Sequence, residues 1–254
     1  DKYVERTYEN YFPNIGFSYD LGKESSWGAS YSKRLDRPDY QMLNPFEYKL
    51  DQLTYRKGNP FLQPEYINTY ELNYTYMGFL TLSTSYSKTK NFYADVILPY
   101  DSFATVETPY NLSNSTNINF SPSVSIPIKK WWFMYTSLWV NYMRNQADLG
   151  EGNLVDVSNT WGGIYLQNTI TLPKEINLEV SGWFDTGGIW QGNMKTGPMG
   201  ALDLGFQKKI LKKKGTLKVS ITDVLFTSQW TVDARINGMV TTGGGGWESR
   251  LAKV

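Results

Sequence analysis

Short and long connections alternate strictly along this chain, and that alternation constrains the fold more than any single residue does. Segments of period-two patterning are joined by brief turns after Leu21, Met77, Ile126, Leu172 and Leu211. Long connections follow Lys33, Lys88, Arg144, Asp185 and Phe226. Successive strand side chains point to opposite faces, so each period-two segment has one apolar and one polar face. Ile15, Phe17, Tyr19 and Leu21 oppose Asn14, Gly16, Ser18 and Asp20, and Tyr70, Leu72, Tyr74 and Tyr76 oppose Glu71, Asn73 and Thr75. A soluble β-sandwich explains such faces but mixes its loop lengths between the two ends. An up-and-down barrel of the outer membrane puts short turns on the periplasmic side and long loops outside. The expected fold is therefore all-β, a transmembrane antiparallel up-and-down β-barrel.

Composition agrees with this reading. Aromatic residues reach 16%, with 19 Tyr and 9 Trp, yet the mean hydropathy is −0.44. No run is long and apolar enough for a transmembrane helix, whereas many period-two segments reach the ~9–11 residues that a tilted strand needs to cross a bilayer. Tyr31, Tyr86, Trp131, Trp132, Tyr142 and Trp247 lie at strand ends, where interfacial girdles sit. Residues 131–142 are aromatic on both faces, which leaves the orientation of that strand open.

The residues that are absent narrow the chemistry. The chain has no Cys and no His, which excludes disulfides, thiolate or His-based nucleophile pairs and His-ligated metal within it. No enzyme activity, metal or cofactor is expected. A net charge of +1 gives no footprint for nucleic acid. The start, Asp1-Lys2-Tyr3-Val4, lacks the features of a leader, so the segment reads as mature or internal to something longer.

Between the strands, residues 37–74 read as a proline-punctuated loop feeding an amphipathic strand. Residues 88–115 read as irregular, residues 148–159 as a polar loop, and residues 187–198 as a glycine-rich loop. Gly243, Gly244, Gly245 and Gly246 read as a flexible tip, followed by a strand opening at Trp247. Lys212, Lys213 and Lys214 read as a solvated stop at the membrane face.

Several short blocks carry a family resemblance. Arg37-Pro38 precedes Leu43-Asn44-Pro45-Phe46. The block Gly58-Asn59-Pro60-Phe61-Leu62-Gln63-Pro64-Glu65 leads to Glu71-Leu72, and Asp223-Val224-Leu225-Phe226 and Trp247-Glu248-Ser249-Arg250 follow near the end. On these residues the whole chain, 1–254, resembles the barrel of TonB-dependent outer-membrane receptors, in the β-barrel family common in Bacteroidota. The resemblance implies the C-terminal half of a barrel of twenty-two strands, since about eleven strands are legible. It also implies a plug domain and TonB as partners through a part not contained in this sequence, and uptake of a scarce nutrient at the bacterial outer membrane. Outer-membrane lipids would surround it, and a surface lipoprotein or other outer-membrane subunits are further possible partners. The alternatives are a non-transporting structural or assembly subunit, or a passive pore formed by an independent small barrel.

Two residue sets are candidates for function. Tyr100, Phe103, Tyr110, Trp190 and Trp230, all on long connections, offer rings for stacking on a ligand, with loop-on-loop packing as the competing role. Asp20, Glu71, Glu179, Asp203 and Lys218 fall on the lumen-facing side, where they line a substrate path, contact a plug, or simply keep the wall solvated.

Overall fold

A computed structural model describes residues 11–22, 24–101, 103–150, 154–236 and 238–254. The chain opens with β1 (Asn14–Leu21) and β2 (Ser25–Asp36), followed by the one-turn helix α1 (Tyr40–Leu43), β3 (Glu47–Lys49) and β4 (Thr54–Lys57). Next come β5 (Glu65–Tyr76), β6 (Leu80–Lys90), β7 (Tyr93–Pro99), β8 (Thr105–Asn111), β9 (Asn114–Lys129), β10 (Trp132–Asp148) and β11 (Leu154–Leu172). The remainder comprises β12 (Ile176–Asp185), β13 (Ile189–Trp190), β14 (Met194–Thr196), β15 (Met199–Ile210), a 3-10 turn (Leu211–Lys213), β16 (Gly215–Ile221), β17 (Gln229–Ile236), β18 (Met239–Gly246) and β19 (Ala252–Lys253).

Eleven strands form one sheet in the order β1-β2-β5-β6-β9-β10-β11-β12-β15-β16-β19, and every pairing in it is antiparallel. Register sorts the side chains into two continuous faces. On one, Tyr31, Tyr70, Tyr86, Ile118 and Tyr142 are successive cross-strand partners. Phe120, Val140, Leu138, Ile164 and Phe184 belong to the same apolar face, and large residues such as Ile15, Phe17, Leu72, Phe120 and Val140 stand exposed there. On the opposite face Ser30, Glu71, Ser85, Asn119 and Asn141 are successive partners. A water-soluble sheet would cover such an apolar face with another layer, whereas a lipid-facing wall leaves it bare.

Register settles the orientation that residues 131–142 leave open. Val140 partners Phe120, so the even-numbered residues of β10 face the apolar side, and Phe133, Tyr135 and Trp139 face the polar one. The apolar face of β10 runs over residues 132–142, close to the ~9–11 residues of a tilted membrane crossing. Beyond it stand Arg144, Gln146 and Asp148. Arg144 and Asp156 form a bidentate pair, with Nε at 2.8 Å and Nη2 at 2.7 Å from the two carboxylate oxygens, just outside the apolar band.

Several sequence expectations change here. Of the polar loop expected over residues 148–159, Asp148 and residues 154–159 are strand, and residues 151–153 lie outside the described residues. β10 continues to Asp148 and β11 restarts at Leu154, because polar residues outside the bilayer break the hydrophobic alternation without breaking the backbone ladder. Residues 88–115 hold the β7–β8 hairpin rather than an irregular segment, and it joins a four-stranded sheet of order β3-β4-β8-β7. Residues 187–198 hold β13 and β14, which pair with β17 and β18 in a second sheet of four. Gly243, Gly244, Gly245 and Gly246 lie within β18, each paired to β17. The final pairing of the main sheet begins only at Ala252, with Thr222 holding the preceding segment through Leu251 and Ser249. Residues 37–46 contain one helical turn, capped where the Met42 amide donates to Asp39 Oδ1 at 2.9 Å.

The face assignment makes a direct test. Leu138→Arg, on the apolar face near the middle of the apolar band, is expected to cost about 2–4 kcal/mol of folding stability in lipid, whereas Asn141→Arg on the polar face stays within about 1 kcal/mol. Urea unfolding of the full-length natural protein in phospholipid vesicles measures both.

Candidate functional site

The long connections fold over the polar face at one end of the main sheet. Val96 and Leu112 from the β7–β8 region pack with Ala147 of β10 and Val155 of β11 in a fully buried core, flanked by Phe92, Leu98, Tyr110, Leu149 and Val157. Ala147 and Val155 are direct cross-strand partners and share the face of Asn141 and Trp139. The connections therefore close over the polar side rather than splaying away from it.

Two asparagines hold this cap together. Asn145, fully buried, accepts from Ser115 Oγ at 2.7 Å and donates to the carbonyls of Gln191 (3.1 Å) and Gly192 (2.9 Å). Asn193 accepts from the Ile97 amide at 3.1 Å and donates to the Ile97 carbonyl at 3.2 Å, imitating a strand neighbour. The Gly192 amide donates to the Asp95 carbonyl at 2.9 Å, and a Cβ at Gly192 would collide with Val96. Buried amide side chains suit this role because each carries both a donor and an acceptor group.

The signature blocks stitch the same cap. The Gly58 amide donates to Asn44 O at 3.0 Å and the Asn59 amide to Met42 O at 2.7 Å. A side chain at Gly58 would strike the Asn44 backbone. Asn59 Nδ2 reaches Pro109 O at 3.2 Å, and Asn111 takes the Gln63 amide at 2.7 Å and donates back to Gln63 O at 2.9 Å. Glu65 is buried and accepts from the Tyr93 amide at 3.2 Å. Burial pushes the Glu65 carboxyl above its ordinary range, outweighing that bond. Burial, with the negative charges of Asp36 and Glu65 beside it, pushes the Tyr93 phenol up to about 12.

Asp223 is the second hub. Only 2% exposed, it accepts from the Thr227 amide at 3.0 Å, the Ser228 amide at 3.1 Å and Ser249 Oγ at 2.5 Å. Arg250 stacks over Phe226 at 4.1 Å. The Asp-aliphatic-Phe block and the Trp-Glu-Ser-Arg block are thus two halves of one latch. Desolvation pushes the Asp223 carboxyl up, but the bonds from Ser249, Thr227 and Ser228 together outweigh it and hold the group below the usual carboxylate range.

Two recesses open in the cap. The larger, of about 800 Å³, lies between α1, β3 and β4, with Tyr40, Tyr48, Lys49, Arg56 and Lys57 among its walls. Arg56 is drawn to Asp95 (3.3 Å) and Glu107 (3.7 Å). Burial pushes Glu107 up, against the pull of Arg56. The smaller, of about 470 Å³, is lined by Phe226, Trp230, Gly244, Gly245, Gly246 and Trp247. Among the described residues no cluster of acidic side chains has the makings of a metal site.

The five aromatic candidates do not converge. Tyr100 donates its hydroxyl to Glu47 at 3.2 Å and stacks on Tyr55 at 4.7 Å, so it is committed to loop packing. Tyr110 packs on the cap core and points its hydroxyl at the Leu149 carbonyl. Phe103 stands 86% exposed at the hairpin tip. Trp190 lies exposed on β13, and Trp230, on β17 of the same small sheet, lines the smaller recess.

Asp20, Glu71, Glu179, Asp203 and Lys218 all fall on the polar face by register. Three have partners there. Glu71 accepts from Ser30 Oγ (2.9 Å), Glu179 from Gln167 Nε2 (3.1 Å) and Asp203 from the Asp223 amide (2.8 Å). Sequence reasoning missed an aromatic patch on this face: Tyr135, Trp139, Trp161, Tyr165 and Trp183 on adjacent β10, β11 and β12. Trp139 Nε1 donates to Asp185 at 2.7 Å, and its ring occupies the space that a side chain at Gly163 would need. Gly162-Gly163 within an otherwise regular strand was the available signal.

The hubs are testable. Asn145→Ala leaves the Ser115 hydroxyl and two carbonyls unpaired, an expected loss of about 1–3 kcal/mol in the local stability of the cap. Faster amide exchange across residues 189–196, with the main sheet unchanged, is the readout. For Asp223 the native carboxyl is depressed, so its contribution is present above the unfolded pKa and is lost as pH falls through the lower native value. Asp223→Asn is expected to loosen residues 247–251 at neutral pH and to abolish the further loosening that the native protein shows below about pH 4. Limited proteolysis across pH checks this.

Comparison with known proteins agrees with the two-faced wall. A variant of the ferric enterobactin receptor PfeA from Pseudomonas aeruginosa, in complex with enterobactin, aligns over 85% of this chain and 35% of its own. The TM-score is 0.55 at 14% identity. The siderophore receptor PirA from Pseudomonas aeruginosa aligns over 93% of this chain and 42% of its own, with a TM-score of 0.60 at 12% identity. At such identities the likeness is one of fold, and the chain spans well under half the length of either structure. No curated protein matches the sequence. The model of the outer membrane protein beta-barrel family matches residues 1–254, so with its bare apolar wall the chain belongs to that family and resides in the bacterial outer membrane.

Proposed function

We propose that this chain is the C-terminal part of the barrel of a TonB-dependent outer-membrane receptor that imports a scarce nutrient. The single observation that carries the reading is the open sheet. Among the described residues β1 pairs only with β2 and β19 only with β16, and each unpaired backbone group left in hydrocarbon costs several kcal/mol. Further strands would complete the wall, and the fraction of the receptor structures that it matches is in keeping with such a half. In this reading the polar face, with Trp139, Trp161 and Trp183, surrounds a plug domain supplied by the rest of the protein. The cap recesses face the exterior, where ligand is first met. Siderophore binding by the structural neighbours supports a receptor role but does not carry a substrate to this chain.

The reading is not enzymatic. Ligand capture needs only the walls described above, and the chain holds no His or Cys for an imidazole- or thiolate-based centre. One observation favours a second reading, a structural or assembly subunit that transports nothing: the cap seals its end of the polar face with a buried core and two asparagine clasps.

Intact mass and N-terminal sequencing of the natural protein test the first requirement. A product well over twice the 29.1 kDa of this chain, carrying a mixed α/β segment ahead of the barrel, is expected. A product near 29 kDa overturns the receptor reading in favour of a small closed pore. Given the larger product, co-elution with the purified periplasmic domain of TonB is expected, and its failure would leave the structural subunit.

A further inference from the structure

The short-turn rim of the sheet carries a predominantly positive patch. Its three adjacent hairpins are β9–β10, β11–β12 and β15–β16. The first presents Lys129 and Lys130, exposed, beside the stacked rings of Trp131 and Trp132 at 6.0 Å. The second presents Lys174 next to Glu175, and the third presents Lys212, Lys213 and Lys214, all exposed. The one acidic residue on these turns, Glu175, is bound by Lys213 across two hairpins. Among the described residues the remaining lysines have no ion pair.

The patch is local. The β5–β6 turn, farther along the same rim, is Met77-Gly78-Phe79 and carries no charge. A chain of net charge +1 therefore concentrates cations on one stretch of rim rather than being basic throughout.

Lys208 gives the patch its direction. It is the cross-strand partner of Ile176 on one side and Leu217 on the other, which places it on the apolar, lipid-facing side near the end of β15. A lysine there lays its aliphatic stem along the apolar wall and carries its ammonium to the headgroup level. Trp132, also on that side, donates its indole N–H to Asn168 at 2.9 Å and so anchors the same level. Aromatic anchors, a lipid-side lysine and unpaired turn lysines occur together at one membrane boundary. An acidic protein would be met by the turn lysines alone and would leave Lys208 and Trp132 unused.

We propose that this rim is a binding surface for anionic phospholipid headgroups of the inner leaflet, recognised through their phosphodiester. The inference rests on the reading that short turns face the periplasm. It does not depend on whether the protein transports anything.

The test uses the full-length natural protein, in nanodiscs of phosphatidylethanolamine mixed with either phosphatidylglycerol or cardiolipin, with retained lipid counted by native mass spectrometry. Wild type is expected to enrich both anionic lipids at least about threefold over their bulk fraction, with the enrichment shrinking in about 0.5 M salt. The triple variant Lys208→Gln, Lys212→Gln, Lys214→Gln is expected to fall back to the bulk fraction while keeping heat-modifiable gel mobility as proof of a folded barrel. Bulk composition around wild type, or enrichment unchanged in the folded triple variant, overturns the proposal. So does a variant that alters only the recovery of an acidic periplasmic protein. If the triple variant does not fold, Lys212→Gln with Lys214→Gln alone serves, with at least half of the enrichment expected to disappear and full retention overturning the proposal.

Discussion

Hydrocarbon offers no hydrogen-bond partners, so a chain that crosses it must pair its backbone groups internally. That constraint organises the main sheet. It dictates a succession of antiparallel pairings from β1 to β19, with one register shift between Trp132 and Phe133, and accepts almost any side chain that suits the medium on each face. Serine, threonine, asparagine and glycine, weak material for a packed core, suffice on the polar side, which need not exclude water. The same constraint makes the two outer edges of this sheet the least tolerable part of the structure.

Beyond the apolar band the governing physics changes. Water can satisfy a backbone there, so the long connections gain order only by building a core of their own. They do so on a small scale, with Val96, Leu112, Ala147 and Val155 as the apolar centre and Asn145, Asn193 and Asp223 as polar hubs. The residues that mark the family belong to these hubs rather than to a chemical site. Gly58 is small because the Asn44 backbone passes it, and Glu65 accepts an amide of the neighbouring connection. Asp223 ties two blocks that are more than twenty residues apart in sequence. A signature of this kind identifies the scaffold and says little about any ligand.

The wall was legible in the sequence because lipid imposes period two and because turn length reports which side a connection lies on. Leu21, Leu172 and Leu211 mark turns that the structure keeps. Legibility failed where the medium stopped selecting. The outer halves of β10 and β11 carry Arg144, Asp148 and Asp156 on the face that is apolar lower down, so the pattern dissolves although the ladder continues. β10 was ambiguous within the bilayer because Trp139 and Tyr135 are inward aromatics, and cross-strand pairings such as Val140–Phe120 and Tyr142–Ile118 separate the faces. The aromatic candidates on the loops scattered for a related reason. An exposed ring and a ring buried under a neighbouring loop look alike in sequence, as Phe103 and Tyr110 show.

The four consecutive glycines of β18 carry this furthest. Glycine lowers strand stability through backbone entropy and leaves no side chain to pack, which is why the run reads as a flexible tip. In the sheet Gly245 is the cross-strand partner of Trp230, and a Cβ on Gly245 would come within 3.2 Å of that indole. Added Cβ atoms on Gly244 and Gly246 would meet the Trp230 carbonyl and the Gln229 side chain at the same distance. The large ring on one strand thus covers the strand that lacks side chains, as when an aromatic residue rescues a glycine across a sheet. The glycines leave room for Trp230 to lie flat and become part of a wall of the smaller recess. Order here comes from the neighbour across the sheet, a relation between residues 230 and 245 that no local reading of either segment contains.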